Sequence, residues 1–326
     1  MTGASSAGPR LMPADPTFLG APSATDLSAL DADYAVVGIP YGVPYDMRGV
    51  HSDAANAPAA VRARTQRFRG QVEHYDFDLD GTQFGDTGAR LVDCGDLAGD
   101  PRDLAGNKER AVTALTRVVA SGAVPLVLGG DDSVPPLLLR AFTDAGPVNV
   151  LHIDAHLDFR DEVHGIPDGY SSAMRRIREM PWVDQMIQVG MRGVGSVRPA
   201  DVRDARAAGN VIVPAEQLHA EGVDAVLRHV RAGERYVISM DVDGLDPSIA
   251  PAASVPLPGG ITFVQALQVF RGLCERARFA GIDVVEHFPS LDVNSITSVT
   301  VGRLLMVLMG ASARVAAGSA TEGRPG

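Results

Sequence analysis

The stretch "VNVLHIDAHLDF" (148–159) decides the fold class, because an almost unbroken apolar run leads into a cluster of ligand-type side chains. Apolar runs without polar alternation are typical of strands that helices cover on both faces, as in parallel sheets. Seven further runs share this character: 34–39, 90–95, 124–129, 185–190, 210–214, 235–241 and 279–286. The sequence therefore predicts an α/β fold, a single-domain three-layer sandwich with a parallel eight-stranded sheet.

Segments with helical spacing lie between these runs and supply the outer layers of the sandwich. They are 104–121, 133–145, 199–209, 216–232, 261–277 and 295–310. The two ends of the chain are rich in small residues, glycine and proline, which predicts mobile tails over 1–20 and 312–326. The domain is accordingly expected to span 21–311.

The composition limits the classes of partner. The net charge is −11, which argues against nucleic acid and is compatible with a small cationic substrate. No run of 18 apolar residues occurs and no signal peptide is expected, so we predict no membrane partner. Two cysteines form no disulfide framework, which favours a cytoplasmic location.

Two motifs at strand ends indicate a metal centre. Asp154, His156 and Asp158 alternate along the backbone, as do Asp241 and Asp243 in "ISMDVDGLDPS" (238–248), so each set points one way. Four carboxylates and an imidazole at one sheet edge need cations. Hard oxygen donors suit Mn²⁺, with Ni²⁺ or another divalent ion as the alternative, and two ions would lower the pKa of a shared water.

Each motif also has an ordinary explanation. A lone Asp-x-Asp is more often a helix cap or a turn, and Asp246 before Pro247 is expected to serve a turn. The occurrence of both motifs, each closing an apolar strand of one sheet, favours metal binding over capping.

Six segments of the chain together resemble the ureohydrolase family, the arginases and agmatinases, from about residue 34 to 310. They are "DAHLD" (154–158), "SMDVDGLDP" (239–247), the stretch 36–62, "DCGDL" (93–97), "VGMRG" (189–193) and "DVVEHFP" (283–289). The likeness is to the agmatinase-like branch. It implies an arginase-like fold and a centre of two Mn²⁺ ions that hydrolyses a guanidino or amidino compound, releasing urea and an amine.

The resemblance also implies roles for single residues. Asp154 and Asp241 would bridge the two ions. Asp158 would complete one site, and His156 with Asp243 the other. Asp158 would also steady the attacking nucleophile. Glu286 would hold the substrate guanidinium, for which a carboxylate is the natural partner. The family's habit of forming trimers or hexamers predicts a homo-oligomer.

Two positions depart from the family pattern. The loop "GGDDS" (129–133) has Asp132 where the family usually has a histidine ligand; Asp132 would ligate the first ion, or only cap the following helix. In "GYSSAMRR" (169–176), Ser172 stands in the place of a family histidine. His164 lies earlier in the segment and would either reach the substrate or remain a surface residue.

These departures leave two hypotheses about function. The first is a metal-dependent amidinohydrolase whose altered loop suggests a guanidino substrate other than arginine or agmatine. The second is a catalytically altered member that serves as the partner subunit of an active paralogue. Metal content discriminates them, because only the enzyme requires about two ions per chain.

Overall fold

The computed structural model describes residues 9–43, 53–100 and 102–322. Its centre is a nine-stranded sheet with the order β1-β3-β2-β4-β9-β8-β5-β6-β7. The strands are β1 (Leu11–Met12), β2 (Tyr34–Gly38), β3 (Leu91–Leu97), β4 (Val124–Leu128), β5 (Val148–Ile153), β6 (Val183–Val189), β7 (Val211–Val213), β8 (Arg235–Asp241) and β9 (Arg278–Val285). The eight predicted strands are confirmed as β2 to β9, and the pairings among these eight are all parallel.

The helices are α1 (Ala57–Thr65), α2 (Leu104–Ala120), α3 (Pro135–Arg140), α4 (Ala173–Arg178), α5 (Pro199–Ala207), α6 (Ala215–Glu221), α7 (Asp224–Leu227), α8 (Phe263–Arg276) and α9 (Ile296–Glu322). The helix predicted over 133–145 is limited to α3. The helix predicted over 216–232 is two short ones, because Gly222 follows α6 with a φ of +73° and stops it there.

Two apolar cores flank the sheet, as the three-layer prediction requires. Neighbouring residues of one strand face opposite cores: Ile238 of β8 packs with α8 and α9, whereas Val237 packs on the side of α2 to α5. Both faces of the central strands are therefore buried, which explains why their sequences are apolar without alternation.

Where the structure describes the predicted tails, they contain secondary structure that packs on the domain. Leu11 pairs with Leu97 as part of β1, a ninth, antiparallel edge strand. Phe18 is fully buried, and its N–H donates to Asp93 Oδ2 at 2.7 Å. At the other end α9 continues to Glu322, since its alanine-rich end favours helix. Composition alone did not reveal that these segments pack on the domain. Residues 1–8, 44–52 and 323–326, which include parts of the predicted tails and of the 36–62 motif, lie outside the described residues.

One helical span of the described chain, Val293–Gly318, is long and apolar enough to cross a membrane by length and composition. Its most apolar window is 72% buried inside the fold, against α1 and α8 among others. Burial of that extent is what a core helix requires, and it accounts for the composition without a membrane.

The sheet order brings the ligand-bearing strand ends together. Four strands are hydrogen-bonded neighbours and run in the same direction, in the order β4, β9, β8 and β5. Their carboxyl ends therefore lie side by side at one edge, where parallel α/β sheets place their sites.

Candidate metal centre

A cavity of about 500 Å³ lies over these four strand ends, and we call it the acidic cavity. Its acidic lining comes from the ends of all four strands: Asp131 and Asp132 after β4, Glu286 after β9, Asp241 at the end of β8 with Asp243 just beyond it, and Asp158 beyond β5. The other lining residues are His156, Tyr170, Ser171, Val194, Gly195, Ser196, Ser254, Val255 and Phe288. Among the described residues that line it, none is lysine or arginine.

Two groups of metal-type side chains lie at the acidic cavity, and four of their six members line it. The first group is Asp132, His152, Asp154 and Asp158, and the second group is Asp154, His156 and Asp243. Within each group one ligand atom per residue lies within 4.8 Å of the others. Asp154 belongs to both groups, which is the arrangement expected if one carboxylate bridges two cations.

Backbone hydrogen bonds hold the second group in place. The N–H of His156 donates to Asp154 Oδ1 at 2.6 Å, and the N–H of Asp243 donates to Asp241 Oδ1 at 2.7 Å. The N–H of Ala155 donates to Asp243 Oδ1 at 3.0 Å, which ties the ends of β5 and β8 together. His156 Nδ1 lies 3.0 Å from Asp243 Oδ2.

Arg192, in the "VGMRG" stretch, holds the loop after β8 in place. Its guanidinium donates to the carbonyl oxygens of Asp243 at 2.6 Å and Leu257 at 2.7 Å. Gly244 is needed beside it, because a Cβ at that position would lie 2.6 Å from the backbone nitrogen of Asp154. The loop after β8 is thus fixed closely against the end of β5.

The electrostatics of the cluster show that these residues fit a divalent metal centre. Burial raises the pKa of Asp154 to about 7, and burial with repulsion between carboxylates raises the pKa of Asp132, Asp158 and Asp241 well above the usual value. Both oxygens of Asp132 and the Oδ2 of Asp154 are buried without a hydrogen-bond partner. Cations among these oxygens would balance the carboxylate charge and satisfy the unpartnered atoms.

Five of the six predicted metal ligands fall within the two groups: Asp132, Asp154, His156, Asp158 and Asp243. Asp241 lines the same cavity but lies outside both groups.

The capping alternative for Asp132 is wrong. Helix α3 begins after Val134 with no side-chain cap, and the hydrogen bonds from Ser133 go to Asp131 instead. Asp246 serves a turn as predicted, because its carboxylate accepts from the N–H groups of Ser248, Gly259 and Gly260.

His152 is the site residue that the sequence reasoning missed. It lies in β5 two residues before Asp154, is fully buried, and places Nε2 2.9 Å from Asp154 Oδ2. Burial lowers the pKa of His152 to about 4, so the ring is neutral at pH 7. The alternation that identified Asp154 and His156, extended one step toward the start of the strand, would have found it.

Two predicted substrate-binding residues are not part of the cavity wall. Ser172 is fully buried and does not line the acidic cavity, whereas Tyr170 and Ser171 do. The three residues form a helical turn, so their side chains point in different directions. His164 is exposed in a tight turn in which Val163 pairs with Ile166, and it also lies outside the wall.

Glu286 joins the ends of β9 and β4. Its Oε1 accepts from the N–H of Asp132 at 3.0 Å, and its own N–H donates to the Gly130 carbonyl at 2.9 Å. Burial and the neighbouring charge of Asp131 raise the pKa of Glu286 well above its usual value. A cationic group in the cavity would favour the ionised carboxylate.

Comparisons with known proteins agree with this geometry. A model of the Arginase family matches residues 32–310. The chain is 34% identical over 317 residues to guanidinopropionase from Pseudomonas aeruginosa, covering 94% of each protein. It is 31% identical over 303 residues to mitochondrial agmatinase from Gallus gallus, covering 90% of this chain and 84% of that protein.

Among solved structures, proclavaminate amidino hydrolase from Streptomyces clavuligerus is similar in fold. The TM-score is 0.77 with 26% sequence identity, and the match covers 92% of this chain and 97% of that one. The similarity extends over nearly the whole described chain.

Proposed function

The chain belongs to the arginase family, and on that premise we propose that it is a binuclear-metal hydrolase of guanidino or amidino compounds. The reaction cleaves a C–N bond and releases urea and an amine. The observation that carries the proposal is the pair of ligand groups sharing Asp154 beneath the acidic cavity, with Glu286 in its wall.

Manganese is the metal we propose, at two ions per chain. Asp132, Asp154 and Asp158 supply oxygen donors on one side, and His156 with Asp243 supplies a nitrogen and an oxygen on the other. A donor set rich in carboxylates suits Mn²⁺ and admits Ni²⁺ where nitrogen is present. When bound, such ions supply Lewis-acid activation of water at neutral pH.

The protein's own side chains orient the reactants. The Glu286 carboxylate accepts hydrogen bonds from the substrate guanidinium, and its link to the Asp132 N–H keeps it directed at one position. Asp158 accepts a hydrogen bond from the attacking water and orients it toward the guanidinium carbon. Holding both reactants close together and aligned lowers the activation barrier of the hydrolysis.

The substrate we propose is a small cationic guanidino compound. The described lining of the acidic cavity carries six carboxylates and no lysine or arginine, so it favours a positive ligand. Tyr170, Val194 and Phe288 supply apolar contact surface for the remainder of the molecule.

The alternative of an inactive partner subunit is not favoured, because both ligand groups and Glu286 are in place. We extend the proposal to a homo-oligomer, a trimer or hexamer, by resemblance to the family. We also propose a cytoplasmic location, for which the support is two buried, unpaired cysteines, Cys94 and Cys274.

The test combines metal analysis with a screen for urea release. Purified protein is loaded with Mn²⁺, Ni²⁺ or Co²⁺, its metal content is measured, and a panel of guanidino compounds is assayed. We expect about two ions per chain and turnover of at least one compound. Asp154→Asn should lose both metal and turnover, whereas Asp246→Asn, a turn residue, should keep both. Absence of bound metal together with absence of turnover would refute the proposal.

A further inference from the structure

A chain of buried side chains runs from Asn210, directly before β7, through β6 to the shared carboxylate Asp154. The Asn210 amide donates to Gln188 Oε1 at 2.8 Å. The Gln188 Nε2 donates to the Leu157 carbonyl at 2.8 Å and lies 3.2 Å from His152 Nδ1. On the other side of the ring, His152 Nε2 lies 2.9 Å from Asp154 Oδ2.

The register of the sheet makes this chain possible. His152 and Gln188 are paired directly across the parallel strands β5 and β6, and both are fully buried. In that position, water does not compete for their hydrogen bonds, so each polar atom must find its partner within the protein.

The partners of Gln188 determine which nitrogen of His152 carries the proton. The Leu157 carbonyl can only accept, so the atom of Gln188 beside it must be the NH₂ group. The same NH₂ group faces His152 Nδ1, which must therefore accept as well. A ring whose Nδ1 accepts carries its single proton on Nε2, the nitrogen that lies 2.9 Å from Asp154 Oδ2.

This tautomer separates His152 from the true ligands. A protonated Nε2 has no lone pair to offer a cation, although His152 lies within the first group. The Nε2 and Asp154 Oδ2 atoms lie 2.9 Å apart, and in the structure neither of them makes a hydrogen bond. The proposed bond therefore requires a rotation of the Asp154 carboxylate or of the ring, and the last torsion of an aspartate is soft.

We infer that His152 is a positioning residue of the metal centre: as a neutral imidazole held by Gln188, it donates its Nε2–H to Asp154. Asp154 is the carboxylate common to both ligand groups, so its orientation governs both ions at once. Outer hydrogen bonds of this kind orient ligands and tune metal affinity. The inference rests on the proposed metal-dependent function.

The first experiment uses the wild-type protein loaded with Mn²⁺. Pulsed EPR with ¹⁵N-labelled histidine counts the imidazole nitrogens bound directly to metal. We expect one, from His156. Two such nitrogens would overturn the inference, because His152 would then be a ligand. Loading of about two ions by the same protein tests the proposed function separately; without bound metal both would fail.

The second experiment compares two substitutions of one residue. His152→Gln retains an N–H donor toward Asp154, whereas His152→Leu has similar volume and no donor. Metal affinity is measured by competition with a chelator. We expect His152→Leu to weaken Mn²⁺ binding about 10- to 100-fold, and His152→Gln to stay within about threefold of wild type.

His219→Leu, which loses a histidine that contacts the Gly260 carbonyl outside the acidic cavity, is the control and should bind metal as wild type does. Equal affinity of His152→Leu and wild type would overturn the inference. A loss in His152→Gln as large as that in His152→Leu would overturn it too, since a merely structural or ligating role would not be rescued by glutamine.

Discussion

Replacing Glu286 with glutamine tests the proposed substrate contact most directly. The amide keeps the volume of the side chain, and its oxygen can still accept from the Asp132 N–H at 3.0 Å. What is lost is the negative charge that faces the guanidinium. A hydrogen bond to a charged group contributes about 1.5–3 kcal/mol. At 1.4 kcal/mol per factor of ten, kcat/KM should fall about 10- to 150-fold.

The assay is urea release at saturating Mn²⁺, with kcat and KM determined separately. We expect the loss mainly in KM, because the guanidinium is already cationic in the ground state. Metal content should stay at two ions per chain, since Glu286 belongs to neither ligand group. Glu216→Gln, an exposed glutamate of α6, is the matched control and should retain full activity. A fall of less than threefold in kcat/KM for Glu286→Gln would refute the reasoning.

Three further predictions concern stability. Mn²⁺ at 100 times its dissociation constant stabilises the fold by about 2.7 kcal/mol. For a chain of 326 residues this should raise Tm by roughly 4 °C relative to chelator-treated protein, and an unchanged Tm in a thermal scan contradicts a metal centre. Gly244→Ala should destabilise the protein by about 1–3 kcal/mol, because its Cβ would lie 2.6 Å from the backbone nitrogen of Asp154. The control is Gly70→Ala, whose Cβ would meet nothing within 4 Å and which should leave the free energy of unfolding unchanged in denaturant titrations. Burial raises the pKa of Asp283 to about 8, so the native state keeps a proton that the unfolded chain loses above about pH 4. The stability that this proton provides is complete below pH 4 and is lost as the pH rises to 8. The free energy of unfolding of Asp283→Asn should therefore rise relative to that of wild type over this pH range. A difference between the two proteins that does not change with pH, measured in metal-saturated protein, would count against it.

Local patterns predicted most of the sheet. The runs that became β2 to β9 are mostly apolar, because helices cover both faces of the sheet and leave few positions where a polar side chain meets water. The edge strand β1 was missed for the opposite reason. Two residues carry too little pattern to be recognised, and their pairing with β3 depends on a partner more than eighty positions away.

The metal centre was predictable where its residues follow one another. Asp154, His156 and Asp158 share one short stretch directly after β5, so the chain itself brings them to the same strand end. Ser172 and His164 were assigned by analogy with a motif, and their side chains do not reach the cavity wall. A helical turn and an exposed turn decide where those two side chains point, and sequence alignment does not report that.

The sequence by itself determined which segments are strands, because burial on both faces of the sheet requires runs of apolar residues. It also showed that carboxylates follow at the ends of four of these strands. Only the tertiary structure decided which strand ends are neighbours. Because the order is β4-β9-β8-β5, the N–H of Asp132 can donate to the Glu286 carboxylate. The same order brings the loop after β8 into contact with the segment that holds Asp154. The parallel register of β5 and β6 sets Gln188 opposite His152, and thereby the position of a single proton. Such contacts join residues that are distant in the chain. The hydrogen bonds of the sheet align these residues, and neither segment's own sequence shows which partner it will have.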